Sequence, residues 1–146
     1  MQQTIRALRR QGQPTEVDCP YLTSAPKPGW KPPKGLRVFR RAAEGRTPRA
    51  VDVRTAIRAG QVPVLGISLP EGFYDPQSPW VIPGQGLIRG LHAVAGVAVS
   101  VTGSEELVLI RNSWGRSWGD HGHAWLDDAF LSRHLKALLM LTHEVV

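Results

Sequence analysis

"LHAVAGVAVSVTGSEELVLIRN", residues 91–112, decides the fold of this chain because it carries the pattern of a complete β-hairpin. Two apolar runs, 92–101 and 106–112, flank the polar segment "TGSE". Such runs, separated by a short segment that contains glycine, predict two antiparallel strands joined by a turn. His92 opens the first strand and Asn112 closes the second. We therefore expect these two side chains to be neighbours, although they lie far apart in sequence.

A histidine beside an asparagine amide has two interpretations, and the spacing alone leaves both open. An amide oxygen that fixes the tautomer of His92 would prepare the ring for general acid–base work. The alternative is a structural histidine at a strand end with a turn-forming Asn112. The next stretch, "SWGRSWGDHG", has too many glycines for a plain helix or strand and contains Trp114 and Trp118. Trp114 would cover a His92–Asn112 hydrogen bond and keep water away from it.

The rest of the sequence predicts an α+β domain, in which an antiparallel sheet is flanked by helices. The predicted helices cover 4–13, with Ile5 and Leu8 on one side, 51–60, with Ala56 and Ile57 facing inward, and 127–141. The predicted strands, besides the hairpin, cover 36–40, 61–69 and 123–126. Loops are expected over 20–36, which is rich in proline, and over 70–90, which shows no periodicity.

Individual residues predict where these elements begin and end. Gly12 and Gly60 are expected to end the first two helices, and Asp52 to cap the second. Pro63 suggests that the strand over 61–69 lies at a sheet edge or contains a bulge. The last helix is expected to be capped by Asp127 or Asp128 and to bury an apolar stripe that consists of Phe130, Leu131, Leu135 and Leu138.

Positive charge is concentrated in the first third of the sequence. The net charge is +6, and residues 1–50 hold 11 Lys and Arg against 3 acidic residues, while 51–146 hold 7 against 9. Such an arm, with Trp30 and Phe39 among its cations, is compatible with binding to nucleic acid or to an acidic partner. The alternative, which we adopt, is a solvated, loop-rich arm, because no nucleic-acid-binding motif is present. Residues 1–50 are thus interpreted as an arm and 51–146 as the folded half-domain.

Composition also limits the cellular setting. The hydrophobic content of 42% and charged content of 21% are typical of a globular protein. No apolar stretch is long enough to span a membrane, and no secretory signal is visible, so a cytoplasmic location is expected. The single cysteine, Cys19, excludes an intramolecular disulfide. Nothing in the sequence indicates a metal site or a cofactor.

The hairpin and the tryptophan-containing stretch together resemble the C-terminal half of papain-like cysteine peptidases. The resemblance rests on "LHAVAGVAVS" followed by "LVLIRNSWGRSWGDHGHAWL", over about residues 88–126. It implies an antiparallel sheet or half-barrel, with His92 as catalytic base and Asn112 as its orienting partner. It further implies that Trp114 covers their hydrogen bond and that Trp118 is a wall of the leaving-group side. Gly90 and Leu91, immediately before the base, would support the site or contact substrate.

The family's nucleophilic cysteine has no recognisable counterpart in this sequence. In the family that cysteine begins a long helix in a "CGSCW"-type segment, whose helix N-terminus favours the thiolate. Gln13 precedes Cys19 by the family's glutamine-to-cysteine spacing, which makes Cys19 a candidate nucleophile. However, the prolines after Cys19 permit at most one helical turn, so we interpret it as a half-buried structural residue near a proline turn.

These observations lead to three hypotheses about function. In the first, the chain is a papain-like half-domain that carries the base and its partner, lacks the nucleophile and is inactive alone. In the second, it is a split or processed component, or a fragment, of a peptidase that becomes active when another segment supplies the cysteine. In the third, it is a pseudo-peptidase that binds a peptide or protein. The expected partners are a peptide or protein, a complementary half-domain or a second copy in a homodimer; nucleic acid and membranes are not expected.

Overall fold

The computed structural model describes residues 2–20, 24 and 26–144. The chain divides into two units, one of Met1–Glu44 with Thr142–Val146 and one of Gly45–Leu141. The sequence-based division lies at residue 50, within a helix of the second unit. Among the described residues, no helix combines the length and apolar character that a membrane span requires.

The first unit contains one helix and a small antiparallel ribbon. Helix α1 spans Gln2–Arg10, and the two-residue strands β1 and β2, Gln13–Pro14 and Val38–Phe39, pair with each other. Gly12 lies between α1 and β1 at a φ of 74°, and a Cβ there would meet the Phe39 carbonyl oxygen at 2.9 Å. The predicted end of the helix at Gly12 is therefore confirmed. In the described part of 20–36 the chain forms turns and loop, as predicted.

A six-stranded sheet dominates the fold, in the order β3-β8-β4-β5-β6-β7. Its strands in chain order are β3 Arg41–Arg46, β4 Val64–Pro70, β5 Ile88–Thr102, β6 Glu105–Arg111, β7 His123–Leu126 and β8 Leu135–Glu144. Neighbouring strands from β8 to β7 are antiparallel. Two further helices, α2 Ala50–Arg58 and α3 Asp128–His134, flank the sheet. The predicted α+β class is confirmed.

The β5–β6 hairpin forms as the sequence predicts. Thr102 pairs with Glu105 across the turn, and Ala95 pairs with Arg111 near the far end of the hairpin. A register shift lies between Gly96 and Ala98, so β5 bulges toward the end that carries His92. Strand β5 begins four residues before His92, inside the stretch that was predicted to be loop. The predicted strand over 123–126 matches β7.

The core lies where α2 and α3 pack on the sheet. Fully buried side chains come from β4, β6, β7 and both helices: Val53, Leu65, Ile67, Val108, Ile110, Leu126 and Phe130. Ala56 is buried and Ile57 packs against the same core, so the predicted inward orientation of both side chains is confirmed. Since burial of each large apolar side chain contributes about 1.5–3 kcal/mol, this cluster is the main source of stability.

The predicted helix over 127–141 is wrong in its second half. Only Asp128–His134 is helical, and Leu135–Glu144 forms β8, which pairs with β4. Leu138, Leu139 and Met140 are all buried, because β8 is covered on both faces. A strand buried on both faces has no alternation, so its sequence cannot be distinguished from that of a buried helix by periodicity.

The predicted helix caps have different outcomes. Asp127 caps α3, since its carboxylate accepts the Phe130 N–H at 2.6 Å. Asp52 does not cap α2; the N-cap position is Arg49, whose guanidinium donates to the Asp52 carboxylate at 2.6 and 2.8 Å. This hydrogen bond lowers the pKa of the Asp52 carboxyl and raises that of Arg49. At the other end of α2, Gly60 has a φ of 76°, as a terminating glycine requires.

Strand β4 is central in the sheet rather than at its edge. It lies between β8 and β5, so the edge position inferred from Pro63 is wrong. Pro63 precedes the strand, so its missing N–H removes no hydrogen bond from the pairing of β4. Its carbonyl accepts the Gly96 N–H at 2.9 Å. Irregularities do occur within β4, at Gly66/Ile67 and Leu69/Pro70.

A buried hydrogen-bond chain fastens the loop between β4 and β5 to α3. His134 Nε2 lies 2.9 Å from the Gly84 carbonyl oxygen, and Ser68 Oγ lies 2.9 Å from His134 Nδ1. A carbonyl can only accept, so Nε2 carries a proton, and in the neutral ring Nδ1 accepts from the Ser68 hydroxyl. Both side chains are buried and fully paired through this chain.

An ion-pair group joins α2 to β6 and α3. Arg54 Nε lies 2.7 Å from Glu106 Oε2, and Arg54 also pairs with Asp128 at the start of α3. Arg58 donates to Glu106 as well, and this hydrogen bond is the main cause of the lowered pKa of the Glu106 carboxyl. The group thus holds three elements together on one side of the core.

Candidate active site

The hairpin brings His92 and Asn112 into direct contact. His92 pairs with Ile67 of β4 in the sheet register, and Asn112 follows the last residue of β6. His92 Nε2 lies 2.8 Å from Asn112 Oδ1. The backbone N–H of Asn112 donates to the Gly122 carbonyl at 2.9 Å, which fixes the direction in which the chain leaves β6. The proximity inferred from the hairpin is therefore observed.

A second contact identifies which tautomer of His92 this geometry selects. The Ser113 N–H also lies 2.8 Å from Asn112 Oδ1, and a backbone N–H can only donate. The shared atom is thus the amide oxygen, and His92 Nε2 must be the donor of the other bond. In the neutral ring, the proton on Nε2 leaves the Nδ1 lone pair free to accept a proton.

The asparagine is held in a buried position. Asn112 is 7% exposed, and Ser113 and His92 both donate to its oxygen. Within the described part of the chain its Nδ2 has no hydrogen-bond partner. Burial keeps water from competing for Oδ1, so the His92 hydrogen bond is stronger here than it would be at the surface.

Trp114 stacks on the imidazole of His92. The two ring centroids are 4.9 Å apart with an interplanar angle of 36°, and Trp114 is 38% exposed. One side of the indole therefore covers the ring that bonds to Asn112, and another side faces solvent. This is the arrangement that a cover over the His92–Asn112 hydrogen bond requires.

Trp118 and Phe73 support this stack from the interior. Trp118 is 6% exposed, and its Nε1–H donates to the Phe73 carbonyl at 2.7 Å. The fully buried Phe73 ring lies 6.1 Å from His92, 5.5 Å from Trp114 and 5.0 Å from Trp118. Because so little of Trp118 is exposed, its observed role is packing, and the cleft-wall role stays a prediction. The sequence did not predict Phe73 as a site residue, because it lies in a stretch without hydrophobic periodicity.

The glycines after Asn112 permit a tight return to β7. Gly119 has a φ of 55°, and a Cβ at this position would lie 2.3 Å from the His123 carbonyl oxygen. Asp120 and His123 exchange backbone hydrogen bonds across this return. A side chain cannot be placed at Gly119, so the glycine content of this stretch has a steric cause.

Leu91 and Gly90 lie beside His92 on β5. Leu91 is 76% exposed, and a Cβ on Gly90 would lie 3.9 Å from the Tyr74 hydroxyl oxygen. Leu91 thus offers apolar surface next to the imidazole, while Gly90 gives space to Tyr74. Their role toward substrate stays a prediction.

Cys19 lies in the other unit. It is half-buried, and its N–H donates to the Thr15 carbonyl at 3.0 Å in a turn that Pro20 follows. It lines a cavity of about 580 Å³ together with Gln13, Trp30 and other residues of the arm. In the described part of the chain no helix begins between α1 and α2, so Cys19 does not lie at the start of a helix.

The described residues contain no cluster of three or more His, Cys, Asp or Glu side chains that would hold a metal ion. The polar groups named above support proton transfer by His92.

Both the sequence and the fold of this chain are similar to those of known proteins. Residues 3–130 match the model of the papain family cysteine proteases. Xylellain, a cysteine protease from Xylella fastidiosa, has a TM-score of 0.74 and 20% identity; the match covers 97% of this chain and 60% of that one. Procathepsin B S9 from Trypanosoma congolense has a TM-score of 0.71 and 13% identity, over 97% of this chain and 52% of that one. The Amb a 11 cysteine protease of ragweed pollen, in its proform, has a TM-score of 0.70 and 20% identity, over 94% and 43%.

The chain therefore spans 60% or less of the length of these three structures. At sequence identities of 13% to 20%, the structural likeness shows the fold alone. A search among curated proteins found no match.

Proposed function

The chain belongs to the papain family of cysteine proteases, and on this premise we propose that it carries the general-base half of a peptidase site. His92 is the base and Asn112 its orienting partner. The observation that carries the proposal is the 2.8 Å contact between His92 Nε2 and Asn112 Oδ1, with Trp114 stacked on the ring. The tautomer that this contact selects leaves Nδ1 free to take a proton.

Peptide-bond cleavage by this route needs a thiolate, a base and donors for the oxyanion. In the proposed reaction, His92 Nδ1 takes the proton of a cysteine thiol, whose sulfur attacks the scissile carbonyl. His92 then gives that proton to the leaving amine, and water completes the hydrolysis with His92 again as base. Asn112 holds the ring in position and stabilises its protonated form throughout.

We further propose that Cys19 is not this thiol. A reactive thiolate is favoured by a helix N-terminus or a neighbouring cation, and Cys19 lies in a turn before Pro20. The thiol then comes from another segment, either of a longer chain or of a separate polypeptide. In keeping with this, the chain spans 60% or less of the solved structures that it resembles. The 146-residue chain alone is accordingly inactive in peptide hydrolysis.

A second candidate function is the binding of a peptide or protein without catalysis. Exposed apolar side chains adjoin the site: Leu91, Tyr74 and Trp114. Such a patch marks a surface that another molecule covers. A complementary half-domain, a second copy of this chain or a peptide ligand would each cover it, and the concentration dependence of the molar mass in light scattering tests the second of these.

Nuclear magnetic resonance of the ¹⁵N-labelled chain tests the main proposal. We expect the His92 ring to be in the Nε2–H tautomer at neutral pH, and we expect Asn112→Ala to abolish that preference. Ser113→Ala is the matched control, because Ser113 contributes only its backbone N–H to the Asn112 oxygen. An Nδ1–H tautomer in the parent chain, or the same spectrum in Asn112→Ala, would refute the proposed role of His92 as an oriented base.

A further inference from the structure

Tyr74 is an aromatic residue beside the site that the proposed chemistry leaves without a role. It follows the 3₁₀ turn Glu71–Phe73, and its N–H donates to the Glu71 carbonyl at 3.1 Å. Its ring centroid lies 5.4 Å from that of Trp114, with an interplanar angle of 31°. Trp114 is therefore in contact with two tilted rings, that of His92 at 4.9 Å and that of Tyr74 at 5.4 Å.

We infer that Tyr74 is a positioning residue, which holds Trp114 over the His92–Asn112 hydrogen bond; this inference rests on the proposed function of that pair. Trp114 lies in a glycine-rich stretch and is 38% exposed, so its own segment restrains it weakly. From the interior, Phe73 and Trp118 contact the indole in edge-to-face geometry, at interplanar angles of 88° and 82°. The Tyr74 ring adds a tilted contact from the loop between β4 and β5.

Tyr74 is itself fixed in place by two contacts. Arg89 of β5 pairs with Glu71, which ties the 3₁₀ turn to the strand that carries His92. The Tyr74 hydroxyl lies over Gly90, where a Cβ would approach it to 3.9 Å. The turn before Tyr74 is thus tied to the strand that carries the base, and the Tyr74 hydroxyl lies close to that strand.

The inference concerns the cover and not a contact with substrate. Tyr74 is 46% exposed, and removal of its ring leaves no cavity in the core. An aromatic pair in this geometry contributes beyond its buried area, and its loss corresponds to a roughly threefold to tenfold change in an equilibrium. Without Tyr74, Trp114 leaves the imidazole more often and water reaches the His92 Nε2–H.

The test is the solvent exchange rate of the His92 Nε2 proton, measured by nuclear magnetic resonance. We expect Tyr74→Ala to raise this rate roughly threefold to tenfold, and Tyr74→Phe, which keeps the ring, to retain the parent rate. Tyr74→Leu, which keeps apolar bulk without a flat ring, should behave like Tyr74→Ala. Val101→Ala is the control, because Val101 is exposed at the other end of β5.

The result also separates this inference from the proposed function. If Asn112→Ala raises the exchange rate and Tyr74→Ala does not, the inference is wrong and the base role of His92 stands. If neither substitution changes the rate, both are wrong. If Tyr74→Phe exchanges as fast as Tyr74→Ala, the ring is not what matters, and the positioning role is refuted.

Discussion

At the scale of single residues, the site combines a pair at two strand ends, His92 and Asn112, with two loop aromatics, Phe73 and Tyr74, that both contact Trp114. The pair can be predicted from the sequence because hairpin geometry alone brings the strand ends together. The two aromatic contacts cannot. Those two residues lie in a loop that has no periodicity, and only tertiary packing determines which of its aromatic side chains reach the site. Site residues on regular strands can thus be predicted from sequence, and those on an irregular loop cannot.

The return between β6 and β7 offers a residue-scale test. We expect Gly119→Ala to destabilise the fold by at least about 2 kcal/mol, because a positive φ and a blocked Cβ position add their costs. Gly115→Ala is the matched control: Gly115 also has a positive φ, 92°, but a Cβ there would meet nothing within 4 Å. The free energy of unfolding from urea titration measures both. Equal losses in the two variants would show that the close approach to His123 is not a constraint.

At the scale of elements, the β5–β6 hairpin and β7 are predicted well, and β8 is not. In the hairpin, two apolar runs with small residues flank a clear turn sequence. In β8, by contrast, the consecutive residues Leu138, Leu139 and Met140 are all buried, so no alternation of apolar and polar residues marks a strand. Its sequence suits a helix locally, and pairing with β4 outweighs that preference. At Gly66, where a Cβ would lie 2.9 Å from the Ala137 Cβ, only a glycine lets the two strands come this close.

The buried hydrogen bonds between Ser68, His134 and Gly84 indicate that loss of the Ser68 hydroxyl lowers the stability of the fold. We expect Ser68→Ala to reduce the free energy of unfolding by about 1–3 kcal/mol, because His134 Nδ1 loses its donor in a buried position. Ser132→Ala, an exposed substitution within α3, should be neutral or slightly stabilising. Chemical denaturation of the two variants provides the comparison. A neutral Ser68→Ala would mean that the hydrogen bond contributes nothing to the attachment of the loop.

The ion-pair group around Glu106 predicts a pH dependence of stability. The Arg58 hydrogen bond lowers the pKa of Glu106 below its ordinary value of 4.5, so the folded state favours the carboxylate. The resulting stabilisation is present above about pH 4.5 and is lost as the pH falls through the lowered pKa. We expect Glu106→Gln to be less stable than the parent at neutral pH and to approach it in acid. Thermal unfolding between pH 7 and pH 3 measures this, with the exposed Glu105→Gln as control; a difference independent of pH would contradict the assignment.

At the scale of the whole molecule, the family and the fold follow from the sequence because the motif around His92 and Asn112 is specific. The match over residues 3–130 and the structural likeness both confirm them. The source of the catalytic thiol cannot be predicted in the same way, because the hydrophobic pattern predicts the fold and not which residue acts as nucleophile. The proposal that Cys19 is not this thiol rests on its position in a turn before Pro20.

The reaction of Cys19 with an epoxysuccinyl inhibitor of cysteine peptidases tests the central claim most directly. Because the members of such a catalytic unit act together, a true nucleophile would lose its reactivity when the base is removed. We expect slow labelling of Cys19, at the same rate in the parent chain and in His92→Ala, as for an ordinary thiol. Rapid, stoichiometric labelling of the parent that disappears in His92→Ala would contradict the account and make Cys19 the nucleophile of a complete site.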